Sequence, residues 1–339
     1  MIPSRKVLTF VIGIALICLC FAGTGGLLLA FWYPASIRPT PPPLIFPTHN
    51  PTLEAPTLAP GTSIPVSSPE PVPTGKIVFV CQIFRLQAKD QLCLINADGT
   101  GWRRLTTTDS VRSYYPSFAP DGKSVVYSSN LDGNFKLYEI NLSGQVTALG
   151  NTVGIAPEVS PDNKQVVFTN NDGKQDMIWV MDRDGSHSHM LYAQAWDPTW
   201  TPDGSRILFA TNVEGKPQLA SIKLDGSEFR QITDLPDLRG RSDWSADGLH
   251  IVTYSGKPWA RELYILNSDG SDLRQLTPSG GNSQGPGFSP DGQWVVFTAY
   301  FDAIGNNNGC EIYIMRIDGS QLRRLTNNVY CDWQPRWGP

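Results

Sequence analysis

The sequence predicts an all-β protein, a six-bladed β-propeller of four-stranded antiparallel blades. Three observations carry this. A tight-turn phrase recurs as APDG at 119–122, SPDN at 160–163, TPDG at 201–204, SADG at 245–248 and SPDG at 289–292. Its Asp residues are 41, 41, 44 and 44 positions apart, a period that marks a repeated supersecondary unit. Each turn is followed by β-branched and aromatic runs rather than by helical patterns.

Every unit has the same order. A short segment ends at Phe118, Val159, Trp200, Trp244 or Phe288. In the turn, Pro presets φ at the first corner, Asp bonds back to nearby amides, and Gly takes the left-handed position. A second strand follows (SVVYSS, QVVFTN, RILFAT, HIVTYS, WVVFTA), and then a third (KLYEIN, MIWVMD, QLASIK, ELYILN, EIYIMR). A second turn, RDG, LDG, SDG or IDG in the clearer copies, leads to a short last strand ending in QIT, QLT or RLT. Four antiparallel strands of this kind make one propeller blade.

The ends complete the ring. Residues 75–106 hold the last three strands of a blade without its first. DWQPRW at 332–337 matches WDPTW at 196–200 and has no strands after it. Residues 332–337 are therefore expected to pair with residues 76–81, closing the ring by the C-terminal strand and leaving no free edge. Five full units and one shared unit give six blades.

These motifs resemble the TolB-type, or WD40-like PD40, β-propeller family. The resemblance rests on the W-S-P-D-G-like turn, the second D-G-S turn and the terminal LT, and it covers residues 75–339. It implies a propeller that binds other molecules. The family's best-known member is periplasmic, carries an α/β domain ahead of its propeller and binds a peptidoglycan-associated lipoprotein. This chain places an anchor and a stalk there, so only the propeller carries over. Similar blades gate some serine peptidases, but no hydrolase domain is expected here.

The segment before the propeller reads differently. Residues 1–6 form a short cytoplasmic N-terminus. Residues 7–33 carry no charge, and a helix needs about 20 apolar residues to cross a bilayer core. Arg5 and Lys6 precede the run and Trp32 and Tyr33 end it. This predicts a single-pass signal anchor, an N-terminal transmembrane helix with the propeller extracytoplasmic, periplasmic or extracellular. A cleaved signal peptide is the competing reading, but its apolar core spans only about 7–15 residues. Thirteen of the forty residues 34–73 are Pro, so residues 34–74 form a Pro/Thr/Ser-rich disordered stalk.

The net charge of −4 disfavours nucleic acid, whose phosphates call for a basic face. Partners are therefore sought among an envelope protein, a peptide or a cell-wall glycan, with the membrane reached only through the N-terminal helix. No cofactor or metal is predicted. GNSQG at 281–285 matches G-x-S-x-G in letters, yet Ser283 lies in a blade-to-blade connection and not at a strand-to-helix elbow. His187 and His189 lack a third ligand nearby, and no D-G turn has the full calcium-loop series. Cys81, Cys93, Cys310 and Cys331 are expected near the seam between the last and first blades. The pairs 81–93 and 310–331 are favoured; 81–310, a cross-pairing or free thiols are the alternatives.

A binding site is expected where blade-to-blade loops and second-to-third-strand loops share one face around the channel mouth. The residue before the repeated Pro does not repeat from blade to blade. The candidate residues are Tyr115, Trp196, Asp197, Arg239, Arg241, Asp243, Trp333 and Gln334, a mixture of charge and aromatic surface suited to recognition. The insert at 299–310 lies on the same face. The function read from this is a membrane-tethered extracytoplasmic binding or scaffold module, non-catalytic. The alternatives are a propeller glycan hydrolase or lyase with its site at the channel mouth, and a sensor that signals through a membrane partner.

Overall fold

In the computed structural model the described residues are 72–83, 89–301, 309–328 and 330–339. Among them no helix is long and apolar enough to cross a membrane. The expected anchor at 7–33 and nearly all of the stalk lie outside the described residues.

The described chain forms six four-stranded antiparallel sheets. Blade 1 contains β1 (Lys76–Gln82), β2 (Asp90–Asn96) and β3 (Arg103–Arg104). Blade 2 follows with β4 (Ser113–Phe118), β5 (Ser124–Asp132), β6 (Asn134–Asn141) and β7 (Val146–Val153), and blade 3 with β8 (Ile155–Val159), β9 (Gln165–Asn171), β10 (Asp176–Asp182) and β11 (His189–Ala193). Blade 4 holds β12 (Ala195–Trp200), β13 (Arg206–Val213), β14 (Lys216–Lys223) and β15 (Arg230–Gln231). Blade 5 holds β16 (Asp243–Trp244), β17 (His250–Ser255), β18 (Glu262–Asn267) and β19 (Arg274–Gln275). Blade 6 holds β20 (Gln284–Phe288), β21 (Trp294–Ala299), β22 (Glu311–Arg316) and β23 (Arg323–Arg324). The last strand, β24 (Asp332–Gly338), pairs with β1 from Lys76↔Gly338 to Cys81↔Asp332 and supplies the first strand of blade 1.

The continuous apolar strands follow from burial on both faces. Side chains alternate along β1: Ile77, Phe79 and Cys81 face blade 6, while Val78 and Val80 face blade 2. The same division fills a separate core at every blade junction.

The repeated turn is held by its own side chains. Ser160, Thr201, Ser245 and Ser289 donate to the Asp two residues on, at 2.5–2.7 Å. The same hydroxyls accept the amides of Gln165, Arg206, His250 and Trp294. Asn163 stands at φ 66°, where the other copies have Gly at 67–72°.

The terminal LT also has a task. The hydroxyls of Thr106, Thr233, Thr277 and Thr326 accept the amides of Leu92, Leu219, Leu263 and Ile312 near the start of each third strand. Three of them donate onward to Gln218, Glu262 and Glu311. Blades 2 and 3 lack LT, and their outer strands are longer, at 8 and 5 residues instead of 2.

Cys81 is bonded to Cys93 and Cys310 to Cys331, with Cα–Cα distances of 5.7 and 4.4 Å. Cys93 sits in the middle of β2, because that strand begins at Asp90, and Cys310 immediately precedes β22. The second bond joins blade 6 to the closing strand, beside the hydrogen bond from Asp332 N to Cys310 O at 2.7 Å.

Candidate functional site around the channel axis

The innermost strand of each blade carries a chain irregularity. In five blades the residue before the repeated Pro is left-handed: Tyr115 (54°), Ala156 (52°), Asp197 (51°), Gly285 (59°) and Gln334 (51°). The pairing register shifts at each of these points, as in a β-bulge. Such bulges re-aim side chains, which explains why the position varies between blades while the surrounding turn does not. Blade 5 has no Pro here. Gly240 at φ 110° stands before Arg241, and the inner strand is cut to Asp243–Trp244.

These positions meet across the ring. Asp197 Oδ2 accepts the Arg241 amide at 3.0 Å, and the Tyr115 amide donates to Gln334 Oε1 at 2.9 Å. The Arg241 guanidinium lies 5.4 Å from the centre of the Tyr115 ring and donates to Pro116 O at 3.1 Å. Asp243 accepts the amides of Trp244 at 3.0 Å and Phe288 at 2.8 Å. Tyr115, Asp197, Arg241, Asp243 and Gln334 therefore belong to one arrangement around the axis. Arg241 is the most enclosed, 6% exposed.

The two candidate tryptophans pack against blade junctions, Trp196 beside Gly240 and Asp197. Trp196 is half-buried against the blade 4–blade 5 core, its Nε1 3.4 Å from Arg239 O. Trp333 packs on the blade 1–blade 2 core, edge-on to Tyr114 at 5.6 Å. Arg239 donates to Gly256 O at 3.4 Å.

Two central members were missed from the sequence. Arg336, 6% exposed, donates to Pro286 O at 2.7 Å, Ser242 O at 3.3 Å and Glu158 Oε1 at 3.3 Å. One guanidinium thus ties blades 1, 3, 5 and 6 together. A signal for it existed. The position after the repeated Pro reads Ser117, Glu158, Thr199, Asp243, Gly287 and Arg336, and its three charged members are the ones that meet at the axis.

Desolvation dominates the electrostatics. It pushes the Asp243 carboxyl up to about 6 against the pull of Arg336. It raises Asp197 despite the Arg241 charge. It lowers Arg241 to about 10, with Arg336 adding repulsion, and raises the Tyr115 phenol to about 12. Two guanidinium groups and three carboxylates in one small volume bind each other first.

The outer rim on the same face carries an exposed aromatic at blades 5 and 6. Trp259, in the loop between β17 and β18, is 62% exposed and holds a left-handed φ of 68°, which is uncommon for a bulky residue. Its ring meets Tyr300 edge-on at 5.3 Å. Arg261 donates to Gln284 Oε1 at 2.5 Å, and the Tyr254 phenol, raised mainly by burial, senses the charges of Asp197, Arg261 and Arg241. Sequence comparison of the repeats passed over these residues because they lie in a second-to-third-strand loop, where the repeats share no frame.

Ser283 is fully buried, and its amide donates to Arg261 O at 2.7 Å. Its segment runs directly into β20, so the strand–turn–helix context of a nucleophile elbow is not met. His187 Nδ1 lies 2.7 Å from Asp182 Oδ2 on the exposed opposite face. Among the described residues no three His, Cys, Asp or Glu side chains group as a metal site. Residues 302–308 of the insert lie outside the described residues.

Residues 144–303 match the TolB beta propeller domain family, PD40. The match runs from the last strand of blade 2 into blade 6, and it supports the TolB-type reading of the repeats. No curated protein sequence matches the chain. Among solved structures, TolB from Acinetobacter baumannii is similar with a TM-score of 0.69 at 23% identity, over 78% of this chain and 67% of that one. The putative TolB from Agrobacterium tumefaciens gives 0.58 at 17% identity, over 78% and 99%. A puromycin hydrolase gives 0.52 at 18% identity, over 74% of this chain and 43% of the hydrolase. At these identities the likeness is one of fold, and propellers of one fold serve unrelated functions.

Proposed function

We propose that this chain is a membrane-tethered, extracytoplasmic, non-catalytic binding module that presents the channel-mouth face of its TolB-type propeller to an envelope protein, peptide or cell-wall ligand. The observation that carries the reading is the rim of blades 5 and 6. There an exposed Trp259 is held at a left-handed φ beside Tyr300, with Arg261 close by. An exposed Trp edge-on to a Tyr whose phenol feels the Arg261 charge has the composition of an interface hot spot. The axis supports a non-catalytic role. Glu158 is paired with Arg336, and Asp243 accepts two backbone amides, so both carboxylates are engaged in holding the inner strands together.

The test is a cross-linking pull-down from envelope extracts with the full chain in detergent, comparing wild type with Trp259→Ala/Arg261→Ala. The reading expects a partner captured by the wild type and lost from the double variant, with the thermal transition unchanged. Equal capture by both proteins would remove the blade 5–6 rim from the site.

A further inference from the structure

The face opposite the channel mouth carries the repeated turns, and at one junction the blades part. A cleft of about 700 Å³ opens there between blades 4 and 5. Comparison of equivalent positions shows it to be specific to this junction. The residue ending the inner strand is buried in five blades: Phe118, Val159, Trp200, Phe288 and Trp337 are 4–9% exposed. The sixth, Trp244, is only half-buried and lines the cleft. Trp200 donates its Nε1 to Glu158 O of the preceding blade at 3.1 Å, whereas Trp244 Nε1 has no acceptor among the described residues.

The turn glycines agree. A Cβ on Gly122, Gly204 or Gly292 would touch the preceding blade, at Pro339, Pro161 or Ser245; on Gly248 it would meet nothing within 4 Å. Blade 5 is also the copy in which Ala246 replaces the turn Pro, removing a ring from the cleft wall.

The lining selects the ligand. Asp203, Arg206 and Arg230 line the blade 4 wall, and Asp247 and Asp269 line the blade 5 wall. Both arginines already pair with Glu228, so the balance opposes an anion. No grouping of three cation-ligating side chains exists among the described residues. Asp247 and Asp269 each spend Oδ1 on their own turn, leaving Oδ2 without a hydrogen bond to a described residue. A partly open indole flanked by carboxylate acceptors and guanidinium donors fits a neutral, hydroxyl-rich ligand with an apolar face. We propose that the cleft between blades 4 and 5 is a carbohydrate-binding site, with Trp244 as the stacking platform and Asp247 and Asp269 as hydroxyl acceptors. It is distinct from the channel-mouth face and does not depend on the reading given for that face.

The test is isothermal titration of the full chain, in a detergent without sugar headgroups, with chitotetraose, cellotetraose, maltotetraose and mannotetraose. At least one should bind, and Trp244→Ala should weaken it by about tenfold or more. Ser268→Trp fills the cleft from beside Asp269 while leaving Trp244 in place, so it reports on the site even if Trp244→Ala fails to fold; it should abolish binding. The channel-mouth variant Trp259→Ala/Arg261→Ala should bind sugar as the wild type does. The proposal is overturned if none of the four binds at about 10 mM, or if binding survives Ser268→Trp.

Discussion

Replacing Arg336 by Met should unfold the ring more easily than any single surface change. Arg336 is 6% exposed and its partner Glu158 has a side chain 13% exposed, so the pair is shielded from screening. Met keeps much of the aliphatic volume but removes hydrogen bonds to Pro286 O, Ser242 O and Glu158. It also takes the charge of Arg336 away from Glu158 and Asp243. Breaking a buried pair from one side costs about 3–5 kcal/mol. The unfolding entropy of a propeller of this size is roughly 0.56 kcal/mol/K, from about 2.1 cal/mol/K per residue over about 265 residues, so Tm should fall by about 5–9 °C. Scanning calorimetry at pH 7 reads this directly. Adding Glu158→Gln should return part of the loss, because the stranded charge is then gone. A Tm drop under about 2 °C for Arg336→Met, or strictly additive losses in the double variant, would refute the argument that this guanidinium holds four blades together.

Two further predictions concern the fold. Asp243 and Asp332 have carboxyls raised by desolvation to about 6 and about 7. A raised carboxyl holds its proton in the folded state longer than in the unfolded one. Its stabilising contribution is therefore present below about pH 4 and is lost as pH rises through 6 to 7. Asp243→Asn and Asp332→Asn should each gain stability relative to wild type between pH 4 and pH 7.5, by about 2 kcal/mol or more; a flat difference across that range would contradict the assignment. Reduction of the two disulfides, which span 12 and 21 residues, should each cost about 3 kcal/mol. Calorimetry of Cys81→Ser/Cys93→Ser and Cys310→Ser/Cys331→Ser tests this, and unchanged Tm in both would show that closure does not depend on them.

Much of the architecture was legible because a propeller repeats locally. The SPDG turn, the D-G-S turn and the LT each act within about fifteen residues, through bonds such as Ser160–Asp162 and Thr233–Gln218. A short-range role imposes the same letters on every blade, and the period exposes them. The closing strand was legible for the same reason, as a copy of the first strand in the wrong place. The site was legible only in part. The variable position before Pro identified Tyr115, Asp197, Arg241 and Gln334, which do meet at the axis. Trp196 and Trp333, one residue earlier, were added as aromatic surface; they pack against blade junctions. Glu158 and Arg336 were passed over although they stand two residues further on, just past the Pro.

The sequence by itself determined the repeat, its turns and the number of blades, because those follow from backbone geometry and from side chains bonding to near neighbours. Only the tertiary structure decided which charges meet. Glu158 and Arg336 are 178 residues apart, and Arg241 and Pro116 are 125 apart. Closing the ring brings the inner strands of all six blades to one axis, where left-handed bulges re-aim their side chains toward partners in distant blades. Likewise no local pattern announces the cleft between blades 4 and 5. It comes from how two neighbouring blades fail to fill the space between them, and that depends on the volumes of Trp244, Ala246 and Gly248 taken together with the wall they face.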